Sequence, residues 1–125
     1  MKILFLAVLI LFLSLEKGVA DVQFVEKRIT TYPFLATPER SVAILTNYTQ
    51  IRNGMTAKQV ESVLGVPDEI RPLYEPKITQ AKLIGYTHWY VLRRMMEHGS
   101  ASEKNESLVR ISFDNSGKVT RVDRW

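Results

Sequence analysis

The sequence predicts an α+β domain in which two N-terminal helices pack on one face of a three-stranded antiparallel sheet. Three observations predict it. Residues 37–67 carry two consecutive sets of helix start and stop signals. Residues 83–125 carry runs rich in β-branched and aromatic residues, divided by polar segments that contain glycine. The length of 125 residues leaves room for one domain of this kind. Helices laid on a sheet let each element bury its apolar face.

The chain opens with an address. Met1-Lys2 precedes eleven unbroken apolar residues, Ile3 to Leu13, and Gly18-Val19-Ala20 supplies a small-x-small ending. That is the form of a secretory signal peptide spanning 1–20, cut between Ala20 and Asp21. The alternative is an uncleaved inner-membrane anchor, which wants about 20 apolar residues. Removal of 1–20 takes away Lys2, Lys17 and Glu16, so the net charge falls from +4 to +3 over the remaining 105 residues. Arg93, Arg94, Arg121 and Arg124 are offset by Glu97, Asp114 and Asp123, and no basic stripe of the nucleic-acid-binding kind appears. The absence of cysteine excludes disulfides, thiolate metal sites, cysteine nucleophiles and lipidation at an N-terminal cysteine.

Residues 21–37 mix β-branched, aromatic and charged types and read as an extended, loosely held arm. The folded domain is expected over 38–125. Thr37 caps the first helix, Pro38 suits its first position, and Glu39 meets the positive end of its dipole. Val42, Leu45, Tyr48 and Ile51 are expected as its buried stripe, with Asn53-Gly54 as its stop. Thr56 and Gln59 form a capping box for the second helix, and Met55 and Val60 a hydrophobic staple. Val60, Val63 and Leu64 make its buried face; Gly65 and Pro67 end it.

Residues 68–80, with Pro72 and Pro76, read as a loop with at most one short strand near Ile70. Leu83 to Leu92 is the central strand: Tyr86, His88, Tyr90 and Leu92 share one face, Thr87, Trp89 and Val91 the other. Residues 93–107 form a long hairpin loop with a mobile tip. Val109, Ile111 and Phe113 face inward from the next strand, and Asp114 to Gly117 is a turn with positive φ at Gly117. Val119 and Val122 lie three apart on the last strand, so a bulge near Gly117 or Thr120 is required.

Chemistry-bearing patterns are sparse. His88 and His98 are two ligands where a metal site wants three or four, and Ser112 lies in no nucleophile elbow. No glycine-rich phosphate loop is present, and no cofactor is expected. Glu61, Asp68, Glu69 and Glu75 read as solvated charges. Trp89 reads as core, whereas Tyr86 and Tyr90 fit either core or an aromatic contact patch. Asn47-Tyr48-Thr49 and Asn105-Glu106-Ser107 match the glycosylation acceptor pattern.

The run Ile51-x-x-Gly54-Met55-Thr56-x-x-Gln59-Val60-x-x-x-Leu64-Gly65-x-Pro67 resembles the phrase that joins two helices ahead of a three-stranded sheet in the BamE-like (SmpA/OmlA) family. Trp89-Tyr90-Val91 and the hairpin Phe113-Asp114-x-x-Gly117-x-Val119 also match, so the resemblance covers residues 40–125. It implies a Gram-negative envelope protein that acts by contact, without catalysis, as family members do in supporting insertion of outer-membrane β-barrels. Those members are lipoproteins. The junction Gly18-Val19-Ala20-Asp21 holds no cysteine, which implies a periplasmic or secreted protein with no lipid anchor. The expected partner is another envelope protein, with Tyr86, Tyr90, Arg94, Met95 and Met96 as candidate contacts on the open sheet face and the adjoining loop. Gly54, Met55, Thr56, Gln59, Val60, Leu64, Gly65 and Pro67 are expected to serve mainly structure. The alternative is a secreted inhibitor-like protein that binds an envelope or extracellular enzyme.

Overall fold

A computed structural model describes residues 24–77, 79–97 and 105–125. The signal peptide, the start of the arm, His98 and the tip of the 93–107 loop lie outside the described residues. Elements run β1 (Phe34–Leu35), α1 (Pro38–Asn47), a 3-10 turn (Tyr48–Gln50), α2 (Ala57–Leu64), β2 (Glu69–Tyr74), β3 (Leu83–Arg94), β4 (Ser107–Asp114) and β5 (Val119–Arg124). The fold is α+β with two helices, as expected, but the antiparallel sheet has five strands rather than three.

Both helix starts follow from local chemistry. The Thr37 hydroxyl accepts the Arg40 N–H (3.2 Å), with Pro38 in the first turn. In α2 the Thr56 hydroxyl accepts the Gln59 N–H (3.2 Å), and the Gln59 side chain accepts the Thr56 N–H (2.9 Å). Gly65 ends α2 at φ 84°.

The buried stripe of α1 differs from expectation. Ile44 is 1% exposed and Ile51 is buried, while Val42 is 65% exposed and Leu45 also faces outward. Steps of three lag the helix by about 60° each, so Val42 and Ile51 fall on opposite sides. Ile44, Tyr48 and Ile51, spaced four and three, stay together. The helix also stops at Asn47, before Asn53-Gly54. Gly54, at φ 90°, serves a turn that docks on β5: its N–H donates to the Val119 carbonyl, and the Val119 N–H donates to the Met55 carbonyl, both 2.8 Å.

The central strand is β3, as expected. One edge pairs with β4, and the other pairs with β2 over Leu83–Trp89 and with β1 at Arg93–Arg94. Asp68 fills the gap between β1 and β2. Its N–H donates to the Trp89 carbonyl (2.8 Å), and its carboxylate accepts the Val91 N–H (2.8 Å) and Arg40 (3.0 Å). The short strand expected at most near Ile70 is therefore present, and it runs over Glu69–Tyr74. Pro72 is tolerated because β2 is an edge strand.

The arm is not loosely held. Lys27 exchanges both backbone hydrogen bonds with Ile70 (3.0 Å each). Phe24 stacks on Tyr86 at 5.2 Å, on the helix-covered face. Ile29 and Phe34 cover Trp89, Val91 and Leu108, on the opposite face. The arm thus wraps around the β2 edge, so that its alternating apolar residues bury against both faces.

At the other end, the register passes from Ser112 opposite Arg121 to Phe113 opposite Val119. Thr120 is the extra residue, and the bulge puts Val119 and Val122 on the same core. Gly117 takes φ 79°, while Asp114 accepts the N–H groups of Ser116 (2.9 Å) and Lys118 (3.1 Å).

Candidate functional site

The helices cover the sheet face that carries Tyr86, Tyr90, Val109, Ile111 and Phe113. The opposite face is built by strand alternation and cross-strand register. Trp89 of β3 stands opposite Glu69 of β2 and Arg110 of β4; Arg110 in turn stands opposite Asp123 of β5. Arg71 and Thr87 form the neighbouring pair.

These side chains make a stacked row. The Arg71 guanidinium lies 4.2 Å from the Trp89 ring centroid, and that of Arg110 lies 5.5 Å from it. Arg110 also lies 5.0 Å from the Trp125 ring, which meets Trp89 edge-on at 6.2 Å. Trp89 is fixed by its indole N–H, which donates to the Thr87 hydroxyl (2.7 Å). Asp123 holds the outer end, bridging Arg110 (3.1 Å) and Arg121 (2.9 Å). Trp125 and Arg121 are exposed, so the row runs from buried to open across the sheet. Such cation–aromatic contacts contribute roughly 0.5–2 kcal/mol each, more where water is excluded.

The buried end is an ion cluster. Glu69, 1% exposed, contacts Arg71 and Arg94 (3.0 Å to the latter) and accepts the Ile29 N–H of the arm (3.0 Å). Burial raises the Glu69 pKa, but the Ile29 N–H and the two arginines outweigh it and hold the carboxyl below its usual range. Arg94 is 0% exposed and also pairs with Glu106. Beside this cluster, a cavity of about 280 Å³ opens between the arm and β2. It is lined by Glu26, Arg28, Glu69, Arg71 and Glu97 together with Ile29 and Tyr32.

Of the five expected contact residues, Met95 and Met96 are on the surface. Tyr86 and Tyr90 are core residues. Tyr86 stacks between Phe24 (5.2 Å) and Phe113 (4.9 Å). The Tyr90 hydroxyl donates to the Gly65 carbonyl (2.9 Å), and burial pushes its pKa up. Arg94 is consumed by Glu69 and Glu106. The physical reason is shared: the helices take the tyrosine face, and the irregularity in β3 near Leu92 turns Arg94 inward. The phrase Gly54 to Pro67 serves caps, turns and core: Met55 packs on the core, and Val60, Leu64 and Pro67 are buried.

Sequence reasoning missed Arg71, Arg110 and Trp125 as a row, and Glu69 as a buried charge. The available signal was Glu69-x-Arg71, two opposite charges at strand spacing. Reading 68–80 as a loop concealed it. His88 is buried against the rings of Tyr86 (5.5 Å) and Phe113 (4.7 Å). Burial, helped by the charge of Lys27, lowers its pKa to about 4, so it is neutral near pH 7. Among the described residues, no three metal-ligating side chains converge.

No family model matches the chain, and no curated protein matches it. Among solved structures, a protein described as a putative osmotically inducible lipoprotein, OsmE, is similar with a TM-score of 0.43 and 20% identity, over 70% of this chain and 86% of that one.

Proposed function

We propose that the chain is a non-catalytic binding module of the Gram-negative envelope, periplasmic once residues 1–20 are removed. It docks another envelope protein on the helix-free face of its sheet. The observation that carries this reading is the row from Trp89 through Arg110 to the exposed Trp125 and Arg121. Tryptophan and arginine are the side chains that most often dominate protein–protein contacts. Here they are held by a rigid sheet, which lowers the ordering cost of association. The segment that fits presents a carboxylate to Arg121 and an apolar or aromatic group to Trp125. The 51–67 phrase supports the envelope setting through its family resemblance. Among the described residues, no helix is long and apolar enough to cross a membrane.

A photo-crosslinker at position 120, exposed beside Arg121, tests the docking surface, with position 58 on α2 as control. The expected result is one envelope protein captured from 120, lost in Trp125→Ala and absent from 58. Equal capture from both positions, or none from 120, overturns the reading. N-terminal sequencing of the exported protein checks the compartment: a start at Asp21 is expected, and retention of residues 1–20 in the membrane fraction contradicts it.

A further inference from the structure

We propose that the outer edge of β5 takes an extended, acidic segment of the partner protein as an added strand, antiparallel to β5. This deepens the docking reading and rests on it: Arg121 and Trp125 lie on and just after β5, and strand addition fixes how a partner meets them. The first observation is the ladder. Trp125 exchanges both backbone hydrogen bonds with Leu108 (2.6 and 3.0 Å), and Asp123 and Arg121 follow at steps of two, opposite Arg110 and Ser112. Alternation therefore turns the N–H and carbonyl groups of Val122 and Arg124 away from β4. The outer groups of Val119 are taken by Gly54 and Met55, but among the described residues no backbone hydrogen bond takes those of Val122 and Arg124. Main-chain groups left open on a sheet edge are what an added strand pairs with.

The second observation is charge. Residues 48–56 and 119–125, which frame this edge, carry three arginine side chains, Arg52, Arg121 and Arg124, and one carboxylate side chain, Asp123. Asp123 is already shared by Arg110 and Arg121. Arg124 is exposed, pairs with no carboxylate among the described residues and lies 6.0 Å over the Tyr48 ring; Arg52, on the same side, bonds the Thr49 carbonyl. A second copy is the poorer occupant. Two β5 strands that satisfy Val122 and Arg124 together bring Asp123 directly opposite Asp123, and like charges so placed repel. Register then specifies the added strand. It sets a carboxylate beside Arg121 and another beside Arg124, an aromatic group beside Trp125, and an uncharged residue beside Asp123. It ends or turns away at Thr120, where the Gly54-Met55 turn occupies the edge.

The test is titration of the chain starting at Asp21 with the blocked peptide Phe-Glu-Thr-Val-Glu, followed by amide chemical shifts and hydrogen exchange. Saturable shifts along β5 are expected at millimolar peptide, with exchange at the Val122 and Arg124 amides slowed severalfold. N-methylation of the peptide's valine, whose N–H faces β5, should weaken binding about tenfold; N-methylation of its threonine, whose N–H faces away, should not. Phe-Lys-Thr-Val-Lys should bind at least about tenfold more weakly, and so should the acidic peptide to the exposed-residue variant R121Q/R124Q, whose thermal melt checks that it folds. No saturable binding overturns the proposal. So does equal binding of the two N-methyl peptides or of the lysine peptide, or slow exchange at Val122 and Arg124 that follows protein concentration without peptide, the mark of a second copy on the edge. Capture in cells from position 120 without peptide binding in solution leaves the docking face standing and overturns strand addition alone.

Discussion

Three residues show how single positions set stability here. Gly85 lies in β3 where it passes β4, and a Cβ there would stand 1.8 Å from the Phe113 carbonyl oxygen. The obstacle is backbone, so the sheet itself must move. Gly85→Ala is expected to cost about 2–3 kcal/mol, read as a lowered urea midpoint with an unchanged m-value. His88 acts through protonation. Its folded pKa is about 4 against an ordinary 6.5, so below pH 6.5 the unfolded chain binds a proton that the folded chain refuses. Its contribution is complete above pH 6.5 and declines as pH falls, a loss that levels off below about pH 4 at roughly 3 kcal/mol. His88→Phe keeps a ring among Tyr86 and Phe113 and should flatten the stability profile between pH 6.5 and 4.5. A profile as steep as wild type would assign that slope to other groups. Glu69 acts in a lower window: its depressed carboxyl adds stability that is lost as pH falls from about 4.5 downward.

At the level of elements, the two ends of the sheet are closed in different ways. The outer groups of Val119 in β5 are taken by the turn at Gly54-Met55, and those of Ile70 in β2 by Lys27. Pro72 removes a further donor from the β2 edge. Exposed ladders invite pairing with other chains, and these contacts close part of each outer edge. Asp68 joins the layers, since one carboxylate takes both the Val91 amide of β3 and Arg40 of α1. Asp68→Ala is expected to cost about 2 kcal/mol and to speed hydrogen exchange at the Val91 amide more than at Tyr90. These joints explain why the element order was only partly legible. Helix caps and the β4–β5 turn depend on residues within four positions of one another, and each was found where the sequence put it. The β2 strand depends on Lys27 and on β3, which no local rule around Pro72 and Pro76 reveals.

For the molecule as a whole, the arm is the element that completes the fold. It supplies Phe24 to one face, Ile29 and Phe34 to the other, and a backbone donor to the buried Glu69. A chain starting at residue 38 would expose Trp89, Val91 and Leu108, and leave Glu69 short of a partner. It is expected to lose cooperative unfolding: a broad thermal transition by circular dichroism, against a sharp one for the chain starting at Asp21. A sharp transition at unchanged temperature would show the arm to be dispensable.

The sequence by itself determined what short-range chemistry decides: the N-caps at Thr37 and Thr56, the stops and turns at Gly65 and Gly117, the bulge on β5, and the two-faced pattern of β3 and β4. It also supplied the missing cysteine, and with it the expectation of a protein without a lipid anchor. Tertiary structure decided which face each pattern serves. Tyr86 and Tyr90 became core because the helices settled on their side, and Glu69, Arg71 and Arg94 became a buried cluster because the arm covered the other. The partners in those decisions are 25 positions apart for Tyr90 and Gly65, and 40 for Glu69 and Ile29. Periodicity reports that a strand has two faces; only the placement of distant segments assigns one to the core and the other to a site.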